Sequence, residues 1–176
     1  MVRRKLDAYY SPSDVGWWLL QNQQVGLSGT ILECAAGDGA IVKPLSDQGF
    51  KVFTNDIDPC VQADYWQDIT DPLDWQSLPS CDWVVTNPPF TAINQLLPLA
   101  FDHCNVGLAL YVRSSITEPT YKRQVWLKQH EQHLAQIIFC PRVSFTGDGK
   151  TDDCSCNWYI WTKQKVSGCK LTWVTK

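Results

Sequence analysis

Thr30-Ile31-Leu32-Glu33-Cys34-Ala35-Ala36-Gly37-Asp38-Gly39 is the stretch that decides the fold. A short apolar run ends at an acidic residue, and a Gly-x-Gly turn follows at once. Apolar residues then resume at Val42 and Leu45 with helical spacing. A strand that turns on glycines into a helix brings backbone close to a ligand, which side chains at those positions would obstruct. The third glycine of the dinucleotide fingerprint would fall at position 42, which is Val42, so the nicotinamide pattern is excluded.

Working outward, Gly49 to Thr54 reads as a second strand that ends at Asn55-Asp56. An acidic residue at that point, 17 positions after Gly39, is where doubly wound folds grip a ribose diol, and Asp56 is assigned that role. Val61 to Asp68 reads as a third short strand with an acidic end, and Cys81 to Thr86 as a fourth. The fourth delivers Asn87-Pro88-Pro89-Phe90. Two prolines fix φ and contribute carbonyls without amide hydrogens. The Asn87 side-chain oxygen and the Pro88 carbonyl can then face one point as two acceptors. That arrangement suits a planar NH2 group, and Phe90 offers a flat face for the ring that carries it.

The ordered set resembles the amino-methyltransferases that use S-adenosylmethionine (SAM), whose acceptor motif is Asn/Asp/Ser-Pro-Pro-aromatic. The order of the segments is similar to the gamma-type arrangement of N6-adenine DNA methyltransferases, with cofactor segments first and the acceptor motif after. The resemblance implies SAM as cofactor, with Asn87, Pro88, Pro89 and Phe90 as the catalytic loop. It implies that Tyr10-Ser11-Pro12, a Tyr-Thr-Pro-like segment, contacts the methionine end. Glu33 would hold the methionine ammonium, directly or through water. Ala35, Gly37 and Gly39 line the cofactor turn, Ile57 packs on the cofactor adenine, and Asp68, better than Asp64, bonds its amine. Asn87 also borders the cofactor.

The fold implied is α/β, a class I SAM-dependent methyltransferase (Rossmann-like) sandwich: a seven-stranded, largely parallel sheet with the last strand reversed. Gly107–Val112, Gln136–Cys140 and Asn157–Thr162 supply later strands, and Lys170–Val174 adds an edge. Ala92–Cys104 and the basic stretch Glu118–His133 read as helices. One domain over 1–176 is expected, without a separate target-recognition domain. Target choice then falls to loops or to a partner, including a second copy. Methylation of adenine N6 in DNA is the function implied. An RNA adenine or guanine amine, a protein glutamine amide, cytosine N4 and a silent SAM-binding subunit are the alternatives.

Composition fits this reading. The chain is 44% hydrophobic and 19% charged, with no apolar run long enough to span a membrane and no export signal, so a cytoplasmic protein is expected. Eight scattered cysteines read as reduced thiols. Residues 1–100 hold five Lys/Arg against twelve Asp/Glu, whereas 101–176 hold ten against six. A basic second half favours a nucleic-acid partner, DNA first, with Arg113, Lys122, Arg123, Arg142 and Lys150 as substrate contacts. No metal is expected: Cys154, Cys156 and Cys169 fit no standard zinc spacing. Gly149-Lys150-Thr151 lacks the first glycine of a P-loop, Pro59-Cys60 follows the wrong strand for a cytosine nucleophile, and the three histidines read as surface residues.

Overall fold

The structure is a computed structural model that describes residues 11–118, 120–143 and 155–175. Seven strands run in chain order as β1 (Thr30–Glu33), β2 (Lys51–Thr54), β3 (Cys81–Thr86), β4 (Cys104–Arg113), β5 (Leu134–Phe139), β6 (Cys156–Thr162) and β7 (Lys170–Trp173). Four α-helices accompany them: α1 (Val15–Asn22), α2 (Val42–Asp47), α3 (Ile93–His103) and α4 (Tyr121–Gln129). The strands form one sheet in the order β2-β1-β3-β4-β6-β5-β7. Only β6 is antiparallel to its neighbours, pairing with β4 and β5, and β7 lies parallel to β5 at the edge. This is the class I methyltransferase sandwich that the motif order implied.

Both faces of the sheet are covered, which is why β3 and β4 are continuous apolar runs without polar alternation. Trp83, Val85, Tyr111, Trp158 and Ile160 meet Val15, Leu19, Ile41 and Leu45 of the α1 and α2 side. Val84, Leu108, Leu110, Tyr159 and Trp161 meet Leu96, Leu97, Ala100 and Phe101 of α3. The tryptophans fill space that small residues leave. A Cβ on Gly107 would lie 2.5 Å from the Trp83 ring and 2.6 Å from the Trp161 carbonyl.

One expected element is replaced. Val61–Asp68 is not a strand; it meets the sheet at a single parallel bridge, Asn55 to Tyr65. The fully buried Asn55 side chain substitutes for a ladder. Its amide donates to the carbonyls of Cys34 (3.0 Å) and Gln67 (3.1 Å), and its oxygen accepts from the Gln67 amide (2.8 Å). Two prolines and two acidic turns on either side leave this segment no run in which a ladder could propagate.

The histidines also differ from expectation. His130 and His133 are half-buried against Phe101, and each Nδ1 bonds a backbone carbonyl at 2.8 Å. His103 packs edge-on to Trp75. The seven described cysteines are free, and Cys34, Cys81, Cys104 and Cys156 are buried. Among the described residues no helix is long and apolar enough to cross a membrane, and no three His, Cys, Asp or Glu side chains gather around a metal-sized point.

Candidate active site

The C-terminal ends of β1, β2 and β3 open onto a cavity of about 270 Å³. The turn after β1 forms one wall. Gly37 and Gly39 carry φ of +52° and +83°, values that L side chains disfavour, and the Gly37 amide donates to Asp56 Oδ2 at 2.9 Å. Ala35 and Gly37 line this cavity and a smaller one beside it. Gly39 lines neither, nor does Pro12; the glycine acts by turning the chain and Pro12 by accepting the Val15 amide at 3.1 Å.

Asp56, Ile57 and Asp68 all line the main cavity, with Ile57 exposed to 47%. Asp56 is preorganised: its second oxygen accepts the Asp58 amide at 2.9 Å. Asp68 accepts from the Thr70 amide (2.8 Å) and hydroxyl (2.7 Å) through Oδ1. Asp64 instead accepts from the Thr54 amide and hydroxyl and lines neither cavity, so of these two residues only Asp68 reaches the cavity wall.

Glu33 lines the smaller cavity at only 1% exposure. Burial pushes its carboxyl up to about 8, against the opposing influence of the neighbouring Thr86 hydroxyl and of the Ala35 amide, which donates to Oε1 at 3.0 Å, and the negative Asp56 adds to the rise. A buried carboxyl with no cationic partner among the described residues is a costly arrangement that an arriving ammonium would relieve.

Asn87 joins the two cavities, lining both. Its Nδ2 donates to Ser11 Oγ at 2.8 Å, so its Oδ1 is the atom left as an acceptor. Pro88, Pro89 and Phe90 continue the wall of the main cavity. The Arg113 guanidinium lies 4.1 Å from the centroid of Phe90 and holds that ring by a cation–π contact. Ser11, from the N-terminal segment, and Asn87, from the end of β3, are thereby brought together across 76 residues.

The other assigned residues lie further out. Lys122, Arg123 and Arg142 sit outside both cavities; Lys122 and Arg142 are exposed. Tyr10 and Lys150 lie outside the described residues. Sequence reasoning missed Cys34, Asp58 and Val61, and likewise Gln67, Ile69, Thr70, Thr91 and Ala92, which complete the cavity wall. The Asx-turn signal of Asp68 with Thr70 was available for Ile69 and Thr70; Gln67 is placed by the Asn55 bridge, and Thr91 and Ala92 by the turn that carries Pro89 into α3.

No family model matches the chain, and no curated protein does. Solved structures do. A class I SAM-dependent methyltransferase assignment from Listeria monocytogenes superposes with a TM-score of 0.70 at 14% identity, covering 98% of this chain and 68% of that one. The EcoKI type I restriction enzyme M protein gives 0.67 at 15%, covering 92% and 45%. A protein assigned as a type I modification subunit from Vibrio vulnificus YJ016 gives 0.65 at 14%, covering 96% and 47%. The chain spans under half the length of the two restriction-modification proteins. At these identities the likeness is one of fold, that of the class I SAM-dependent methyltransferases.

Proposed function

We propose that this protein is a SAM-dependent methyltransferase acting on the exocyclic N6 amine of adenine in DNA. The observation that carries the reading is the Asn87 amide, whose donation to Ser11 at 2.8 Å turns its oxygen into an acceptor on the cavity wall beside Phe90. The residues around the cavity fit the cofactor. Glu33 would hold its ammonium, the Gly37 turn its carboxylate end, Asp56 its ribose, and Ile57 with Asp68 its adenine. When bound, SAM supplies an electrophilic methyl group on a sulfonium.

The chain's own work is orientation. An aromatic amine is a poor nucleophile because its lone pair is delocalised into the ring. Hydrogen bonds from its two hydrogens to Asn87 Oδ1 and the Pro88 carbonyl favour a pyramidal nitrogen with the lone pair directed into the cavity. The loop supplies these dipoles already positioned, and preorganised dipoles of this kind carry most of the rate in such sites. The prolines keep competing amide donors away from the acceptor point. In a duplex the base must leave the stack, and Phe90, held by Arg113, receives it.

Three neighbours of class I methyltransferase fold, two of them restriction-modification proteins, support the activity and the DNA substrate. The test is transfer of labelled methyl from SAM to duplex DNA, single-stranded DNA, RNA and protein extract. Label recovered as N6-methyladenine in DNA, and reduced about 100- to 1,000-fold by Asn87→Ala with SAM binding retained, is the expected result. Label confined to RNA or protein would overturn the substrate. Bound SAM with no transfer to any acceptor would overturn the activity.

A further inference from the structure

Helix α4 is an unusual element for a folded domain: none of its nine residues is fully buried. Among the described residues its anchoring contacts lie on one side. Trp126 stacks on His130 with ring centroids 4.2 Å apart and meets Phe101 and Trp161 edge-on, while Leu127 packs beside it on the core. Arg123 on the same side donates to the Glu118 carbonyl at 3.1 Å and reaches that of Ser115 at 3.5 Å. Placed at 100° intervals, Tyr121, Lys122, Gln124, Val125, Lys128 and Gln129 occupy the opposite half of the helix. All six are exposed, Tyr121 to 80% and Val125 to 40%.

That outward half contains two lysines, two glutamines, a valine and a tyrosine, and no acidic residue. Its chemistry is specific. Glutamine presents a donor and an acceptor side by side, as the major-groove edge of adenine does. Lysine reaches guanine or phosphate, and valine contacts the thymine methyl. Its charge complements a polyanion and disfavours a second copy of the same face.

Its position also fits. The segment Ser114–Thr117 links α4 to Arg113, the residue stacked on Phe90. In the chain, α4 thus begins eight residues after the one that stacks on the ring that would receive the extruded base.

We infer that α4 is a target-reading element that docks its outer face in the major groove of duplex DNA beside the methylated base. This inference rests on the DNA-adenine reading above. Nine residues span roughly 13 Å at 1.5 Å each, which matches about four base pairs at 3.4 Å. The A-form major groove is too narrow to admit a helix, so duplex RNA is not the partner.

The experiment uses the full chain in two arms. In the first, DNA of random sequence is methylated by wild type, Gln124→Ala, Val125→Ala and Gln129→Ala, and the modified sites are sequenced. Each variant is expected to relax the target motif at one position within about four base pairs of the methylated adenine, lowering discrimination roughly tenfold. In the second, binding to duplex DNA and duplex RNA is measured against salt for wild type and Lys122→Gln/Lys128→Gln. The double variant should flatten the log K against log salt slope by about 2 on DNA. SAM affinity and thermal stability, which exposed positions scarcely affect, should stay unchanged in all variants.

Unchanged motifs with an unchanged salt slope would overturn the role of α4 while leaving the DNA-adenine reading intact. Equal binding to duplex RNA and DNA would overturn the groove assignment. A wild-type protein that binds SAM but leaves no methyl in DNA would overturn both readings.

Discussion

Glu33 is where a single residue links ligand, proton and stability. An unfolded glutamate titrates near 4.5, and burial raises the folded carboxyl to about 8. The native state thus holds a proton that the unfolded chain has already released between those values. Stability attributable to that proton is complete below about 4.5 and is lost as pH rises through about 8. Glu33→Gln should therefore make the ligand-free protein more stable than wild type at pH 8.5, by an amount on the order of a few kcal/mol, with the gap shrinking towards pH 5. Thermal or urea unfolding at the two pH values measures this. A gap that is flat with pH would remove the buried-carboxyl account. The same residue makes an opposite prediction for the ligand. An ammonium needs the ionised form, so wild-type SAM affinity should rise up to tenfold per pH unit between about 6.5 and 8. Glu33→Gln should abolish that slope, as read by calorimetry. Residues of this kind were legible early: Glu33, Asp56 and Asn87 each sit at a strand end, where sequence order alone says which edge of a parallel sheet they face.

At the scale of elements, legibility tracks periodicity. The strands buried on both faces and the glycine turn were readable because continuous apolar runs and Gly-x-Gly leave few alternatives. The segment 61–68 forms only an isolated bridge at Tyr65, though it reads as a strand. It carries the composition of one, but what fixes it is a side chain 6 to 13 positions away, Asn55, and a long-range amide bond has no sequence period. Packing between elements was likewise hidden. Gly107 sits in β4 as an ordinary strand glycine by sequence, yet it is the floor on which Trp83 lies. Gly107→Ala should destabilise the fold by about 1–3 kcal/mol through overpacking against that ring and the rigid Trp161 backbone. A matching fall in the urea midpoint at constant m-value would bear this out. Gly107→Ala combined with Trp83→Phe should recover part of the loss, because the smaller ring vacates the contested space.

For the whole molecule, the sheet order separates two regions with different chemistry. The β2-β1-β3 side carries the cavity and most of the acidic residues. The β4-β6-β5-β7 side carries α4 and most of the basic ones. Ligand binding to the first should stabilise the molecule as a unit. SAM at 100 times its dissociation constant should add about 2.7 kcal/mol, which for a chain of this length raises Tm by roughly 5–10 °C. An unchanged Tm at saturating SAM would argue against the cavity as its site. The fold and cofactor edge could be read from the chain because they follow from local order and strand ends. Target reading could not, since it depends on which half of α4 faces outward, and the helix has no strong amphipathic pattern to announce it.

The Asn55 bridge has a further consequence for affinity. The wall made by Gln67 to Thr70 is seated by the Asn55 amide and the Asn55–Tyr65 bridge, with Trp75 Nε1 donating to the Ile69 carbonyl at 3.0 Å and Asp74 accepting the Asp68 amide at 2.8 Å. Seating is then an equilibrium of its own, and only the seated fraction is competent to bind. Observed affinity equals intrinsic affinity multiplied by that fraction. A substitution away from the cavity lining, at Asn55, can accordingly tune how tightly a ligand is held there without touching a contact to it.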